Sequence, residues 1–139
     1  NPNVLNRNDR VLFNFDLTRQ LYAGKVSRAV LRISAAPLGI TDENRIAVER
    51  FVTERPVIAN IDLLSQETEE LAQFPVVAGT PIPTWEIDVT EAVNRILDSG
   101  EGTAAFRIRN LTTETRGNRN SAAEGISVAP AGIQLEVTP

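Results

Sequence analysis

Residues 10–17 read Arg10-Val11-Leu12-Phe13-Asn14-Phe15-Asp16-Leu17. Val11, Phe13 and Phe15 fall on one side of an extended chain and Leu12, Asn14 and Asp16 on the other, because successive strand side chains point to opposite faces. A helix would scatter the three apolar residues around its axis. The same period of two recurs along the chain. In residues 26–35, Ala29, Leu31 and Ile33 point inward and Arg28, Val30 and Arg32 outward, with Pro37 and Gly39 ending the strand. In residues 45–52, Ile46 and Val48 share one face and Ala47, Glu49 and Phe51 the other, so this strand is expected to be covered on both sides. Residues 103–109 set Ala104, Phe106 and Ile108 against Ala105, Arg107 and Arg109, and a last strand carries Ile133, Leu135 and Val137 inward with Gln134 and Glu136 outward.

Between these strands the signals are of another kind. Tyr22-Ala23-Gly24-Lys25 reads as a hairpin-like break. Trp85-Glu86-Ile87-Asp88-Val89-Thr90-Glu91 reads as a strand running into a helix, with Asp88 and Glu91 at capping-box spacing. Val89, Val93, Ile96 and Leu97 then form an apolar stripe that Gly100 stops, which predicts one short α-helix near residues 89–98. Residues 53–84 are weaker. Leu63, Leu64, Glu67, Glu70 and Leu71 suggest a helical turn, Glu67, Glu69 and Glu70 its solvated face, and Pro75, Pro81 and Pro83 mark irregular chain around a strand at 74–78. Many short strands and one small helix predict an all-β fold: a two-sheet antiparallel β-sandwich of jelly-roll type, formed by residues 1–139 as one domain.

The chain has 139 residues, 42% of them hydrophobic and 23% charged, a balance typical of globular domains. It contains no Cys, His or Met. A Ser-His-Asp triad, a Cys-His pair and a thiolate or imidazole zinc site are therefore excluded. Carboxylates, Arg, Lys25, Tyr22 and hydroxyls remain for any chemistry, and the expectation is that the protein is not an enzyme. A first residue other than Met points to processing, such as removal of a signal peptide, or to excision from a longer protein. No apolar run reaches the roughly 18 residues of a membrane span. With a net charge of −4 and no basic cluster flanked by aromatics, nucleic acid is not an expected partner.

In order, the landmarks are Phe15-Asp16-Leu17, then Ser27-Arg28-Ala29-Val30-Leu31, then Trp85 with Asp88-Val89-Thr90, and finally the segment 121–137 with its closing Leu135-x-Val137. This series resembles the DNRLRE domain, a relative of the alginate-type carbohydrate-binding modules, over residues 10–137. The resemblance implies a secreted or cell-surface β-sandwich that binds polysaccharide. Two departures stand out. The family has further strands before the first landmark, where this chain has nine residues, and its Trp-rich middle segment is replaced here by residues 53–84.

Candidate site residues follow from chemistry. Guanidinium forks pair with the carboxylates or sulfates of acidic polysaccharides, which makes Arg28, Arg32, Arg107, Arg109, Arg116 and Arg119 candidate ligand-binding residues. The plainer reading is that outward arginines on strands pair across the sheet with glutamates. Trp85 and Tyr22 are the aromatics suited to stacking on sugars; Trp85 is taken as the candidate, with core packing as the alternative. Asp16 and Asp88 are read as fixing a turn and a helix start rather than as catalytic acids. Asp42, Glu43 and Asn44 could hold a structural calcium ion but lack an EF-hand pattern, so a turn is the simpler reading and no cofactor is expected. Asn110-Leu111-Thr112 fits the glycosylation sequon.

Two functions compete on this reading. One is a non-catalytic module that binds acidic polysaccharide. The other is a structural subunit that assembles into an extracellular fibre with copies of itself, because a sandwich short of its first strands exposes an edge that a neighbour's strand can complete.

Overall fold

The computed structural model describes residues 3–7, 10–38, 40, 42–51, 68–100, 102–112 and 125–139. Along the chain these form β1 (Asn3–Arg7), β2 (Arg10–Asp16), α1 (Thr18–Ala23), β3 (Arg28–Ile33), β4 (Ala36–Leu38), β5 (Asn44–Phe51), β6 (Thr68–Val76), β7 (Trp85–Asp88), α2 (Thr90–Asp98), β8 (Thr103–Asn110), β9 (Gly125–Ser127) and β10 (Ile133–Thr138). Every strand pairing is antiparallel. A five-stranded sheet has the order β1-β2-β8-β5-β6, a three-stranded sheet β10-β3-β7, and β4 pairs with β9. The fold is the expected all-β antiparallel sandwich.

The inward faces of the two larger sheets meet in one core. Phe13, Ile46, Val48, Phe106 and Ile108 come from the five-stranded sheet and Leu31, Ile33, Trp85, Ile87 and Ile133 from the three-stranded one. Phe13 lies opposite Phe106 in the β2–β8 register, and their rings stack at 5.4 Å. Such a pair contributes about 0.5–1.5 kcal/mol beyond its area burial. Phe74 of β6 stacks on Trp85 of β7 at 4.5 Å and ties one sheet to the other. Leu135, on the outer strand β10, is only partly buried. Helix α2 presses Ala92, Val93, Ile96 and Leu97 onto this core, as its stripe predicts.

Several expectations are corrected. The nine leading residues do supply a strand: β1 pairs with β2 from Asn3↔Asn14 to Arg7↔Arg10, so the edge of β2 is covered by the chain itself. The break at Gly24 follows a helix, α1, whose C-cap glycine takes φ 89°, a conformation that favours glycine. Pro37 does not end the extended chain but sits in β4, a two-stranded edge setting that tolerates its missing N–H. Residues 68–71 are strand rather than helix. The β5–β6 register slips between Val48 and Glu49, where Leu71 is the extra residue of a bulge, and that insertion reverses the alternation within β6. Leu63, Leu64 and Glu67 lie outside the described residues.

Candidate functional site

The two acidic candidates close strands. Asp16 Oδ1 accepts from Thr18 N–H at 2.9 Å and from its hydroxyl at 2.5 Å. Asp88 Oδ1 accepts from Thr90 N–H at 3.0 Å and from its hydroxyl at 2.6 Å. These bonds favour the ionised form, so both carboxyls sit below the usual carboxylate range, with the threonine hydroxyl as the main cause in each case. The capping box is replaced by this tighter turn: Val89 takes the N-cap position, and Glu91 reaches forward to Arg95 instead of back to the helix start.

The arginines divide by sheet. Arg32, in the middle of β3, lies between two glutamates: its Nε is 3.0 Å from Glu86 of β7, and Nη1 pairs with Glu136 of β10. Those hydrogen bonds, that to Glu136 first, raise its pKa. Arg28 is exposed on the same face, near Asp88. This face thus sets two arginines against Glu86, Asp88 and Glu136, a poor landing place for a polyanion.

On the outward face of the five-stranded sheet, Arg107 is buried. Its Nε and Nη2 donate to Glu49 Oε1 at 2.9 and 2.7 Å, Nη2 reaches Thr68 Oγ1 at 3.3 Å, and the guanidinium stands 5.7 Å from the centre of the Phe51 ring. Arg109 Nε lies 3.4 Å from the second oxygen of Glu49. Leu12, Phe51 and Ala105 form a small apolar cluster on this face. Both sheets therefore show the cross-strand pairing described as the plainer reading. Arg116 and Arg119 lie outside the described residues.

The two aromatics exchange roles. Trp85 is 4% exposed and its ring is spent on Phe74, so it presents no stacking platform; its strand parity with inward Ile87 already pointed that way. Tyr22 is 89% exposed at the end of α1, a helix with no buried residue. Three residues earlier, at helical spacing for the same face, stands exposed Arg19. Arg19, Gln20, Lys25 and Val26 line a hollow of about 210 Å³ beside this helix. Lys25 keeps a loose, exposed pair with Asp98 at 3.6 Å. The hollow leaves no local mark in the sequence, because Val26 on its rim is held against α2, where the Asn94 side chain bonds both its N–H and its carbonyl.

Two further candidates are absorbed by the fold. Asn110 is 1% exposed and donates to Asn44 Oδ1 at 2.8 Å while accepting from Thr112 N–H, so its amide is not presented for glycosylation. Asn44 in turn donates to Asp42 at 3.2 Å, the turn-like arrangement expected there. Among the described residues no group of three or more acidic side chains is placed to hold a metal ion.

No protein-family model matches this chain, and no curated protein matches it. Among solved structures it is similar to a recombinantly expressed latent aurone synthase (polyphenol oxidase), with a TM-score of 0.54 and 12% identity over 99% of this chain and 26% of that one. The chain thus spans about a quarter of that enzyme's length, and what the two share is the β-sandwich fold.

Proposed function

We propose that this chain is a non-catalytic β-sandwich module of a secreted or cell-surface protein, and that it binds polysaccharide carrying carboxylate or sulfate groups at the hollow beside α1. The observation behind this reading is Tyr22: a ring 89% exposed on the helix whose Arg19 and Gln20 line the hollow together with Lys25. An exposed amphipathic ring offers a stacking face to the apolar side of a sugar. Arg19 and Lys25 supply charge for its acidic groups, and Gln20 can donate to or accept from hydroxyls. The resemblance to DNRLRE and alginate-type binding modules supports the same ligand class. Catalysis has no part in this reading, since Asp16 and Asp88 are committed to strand ends and Glu49 to two arginines.

Titration of the chain with a polyuronate, a sulfated galactan and a neutral glucan tests the proposal. Binding to the two acidic polymers is expected, weakening as salt screens Arg19 and Lys25. Tyr22→Ala is expected to reduce affinity by about tenfold, equivalent to about 1.4 kcal/mol, and to leave the melting temperature unchanged because the ring is 89% exposed. Failure to bind any of the three polymers, or undiminished binding by Tyr22→Ala, defeats the reading.

A further inference from the structure

β10 is the outer strand of the three-stranded sheet, and the direction of its backbone groups can be read from its neighbours. Ser34 N–H donates to Gly132 O at 2.7 Å, and across β3 Val89 N–H donates to Ala29 O at 2.9 Å. With Gln134 opposite Arg32 and Glu136 opposite Val30, the alternation of an antiparallel ladder turns the amides and carbonyls of Gln134 and Glu136 into β3. Those of Leu135 and Val137, with the carbonyl of Ile133, therefore point away from the sheet, while Ile133 N–H is taken by Pro130 O. Leu135 and Val137 are half-buried here. A groove of about 550 Å³ runs along this edge, lined by Phe15, Arg32, Ile133, Gln134, Leu135 and Glu136 among others.

We infer that β10 pairs antiparallel with β10 of a second copy about a two-fold axis at Leu135, joining two three-stranded sheets into one of six strands. In this register each Leu135 amide bonds the carbonyl of the opposite Leu135, and each Val137 amide bonds the carbonyl of the opposite Ile133. The inward row matches Leu135 with Leu135 and Ile133 with Val137. The outward row sets Gln134 against Glu136 twice, an amide donor facing a carboxylate acceptor. Charge and bonding select the register. Centred on Glu136, the pairing puts two carboxylates directly opposite each other, which is destabilising. Centred on Gln134, it loses the bonds from Val137. The two-fold axis also closes the assembly, so it ends at a dimer, whereas head-to-tail strand complementation would build a fibre.

Sedimentation equilibrium of the whole chain, from micromolar to millimolar concentration, tests this with two substitutions at the exposed Gln134. Gln134→Glu sets like charges against Glu136 on both sides of the axis and is expected to raise the dimer Kd by about tenfold; Gln134→Lys supplies the opposite charge and is expected to lower it by about tenfold. Both variants are expected to melt like the parent chain when monomeric. A reversible dimer whose Kd moves in opposite directions in the two variants supports the pairing. A monomer at millimolar concentration, polymers longer than a dimer, or a Kd that the two substitutions leave alone or shift the same way overturns it.

Discussion

Each of the two larger sheets carries an arginine bonded across strands to glutamate, and the two clusters sit in opposite surroundings. Arg107 and Glu49 have side chains 5% and 6% exposed beside Leu12, Phe51 and Ala105, whereas Arg32 is 31% exposed between Glu86 and Glu136, which are each more than half exposed. Coulomb attraction scales inversely with the local dielectric, and so does the penalty for stranding a charge. The buried cluster is therefore a structural commitment that cannot be half removed. The exposed one is loosely held by water and salt and positions β10 only weakly.

The sharpest way to break this contrast is Glu49→Ala, which withdraws the counter-charge from a guanidinium held out of water; a loss of about 3–5 kcal/mol is expected in urea denaturation. Replacing both partners, Glu49→Met with Arg107→Leu, is expected to recover most of that loss, since well-packed apolar residues often match a buried pair. If the double variant is as unstable as the single one, the cluster does more than balance charge. Next in size is Gly132→Ala. A Cβ there would meet Ser34 O at 2.8 Å, so β10 must shift from β3, at a cost of about 1–3 kcal/mol, and carry Glu136 away from Arg32. Arg32→Ala comes third: a small fall in melting temperature that disappears in high salt, where the Glu49 variant's deficit persists.

The smallest effect is on acid stability. Asp16 and Asp88 have folded pKa values below the ordinary aspartate value of about 3.9. Their contribution is thus complete above that value and is lost as the pH falls from it through the lower folded values. Asp88→Asn is expected to flatten the acid limb of stability against pH in this window, below the range where His would titrate in other proteins. An unchanged acid limb would show that the Thr90 bonds do not distinguish the two ionisation states.

Much of the architecture was legible. The faces of β2, β3, β5, β8 and β10 follow from period-two alternation, and α2 follows from its apolar stripe. β6 was not, because the bulge at Leu71 reverses parity midway and a pattern of glutamates and leucines then imitates a helix turn. α1 was not, because a six-residue helix with no buried side chain has no periodic signature to show. The site was less legible still. Alternation put Arg107 and Arg32 alike on outward faces, yet one is buried and the other lies in the open.

Alternation and composition are properties of the chain alone, and they suffice for an antiparallel sandwich without imidazole or thiol chemistry. Which outward residues meet water, that Trp85 rather than Tyr22 is consumed by packing, and that β10 has a strand partner on one side only among the described residues all depend on long-range assembly. The physical reason is that a strand's pattern tells which side of a sheet a residue occupies, while exposure depends on what distant segments lay against that side.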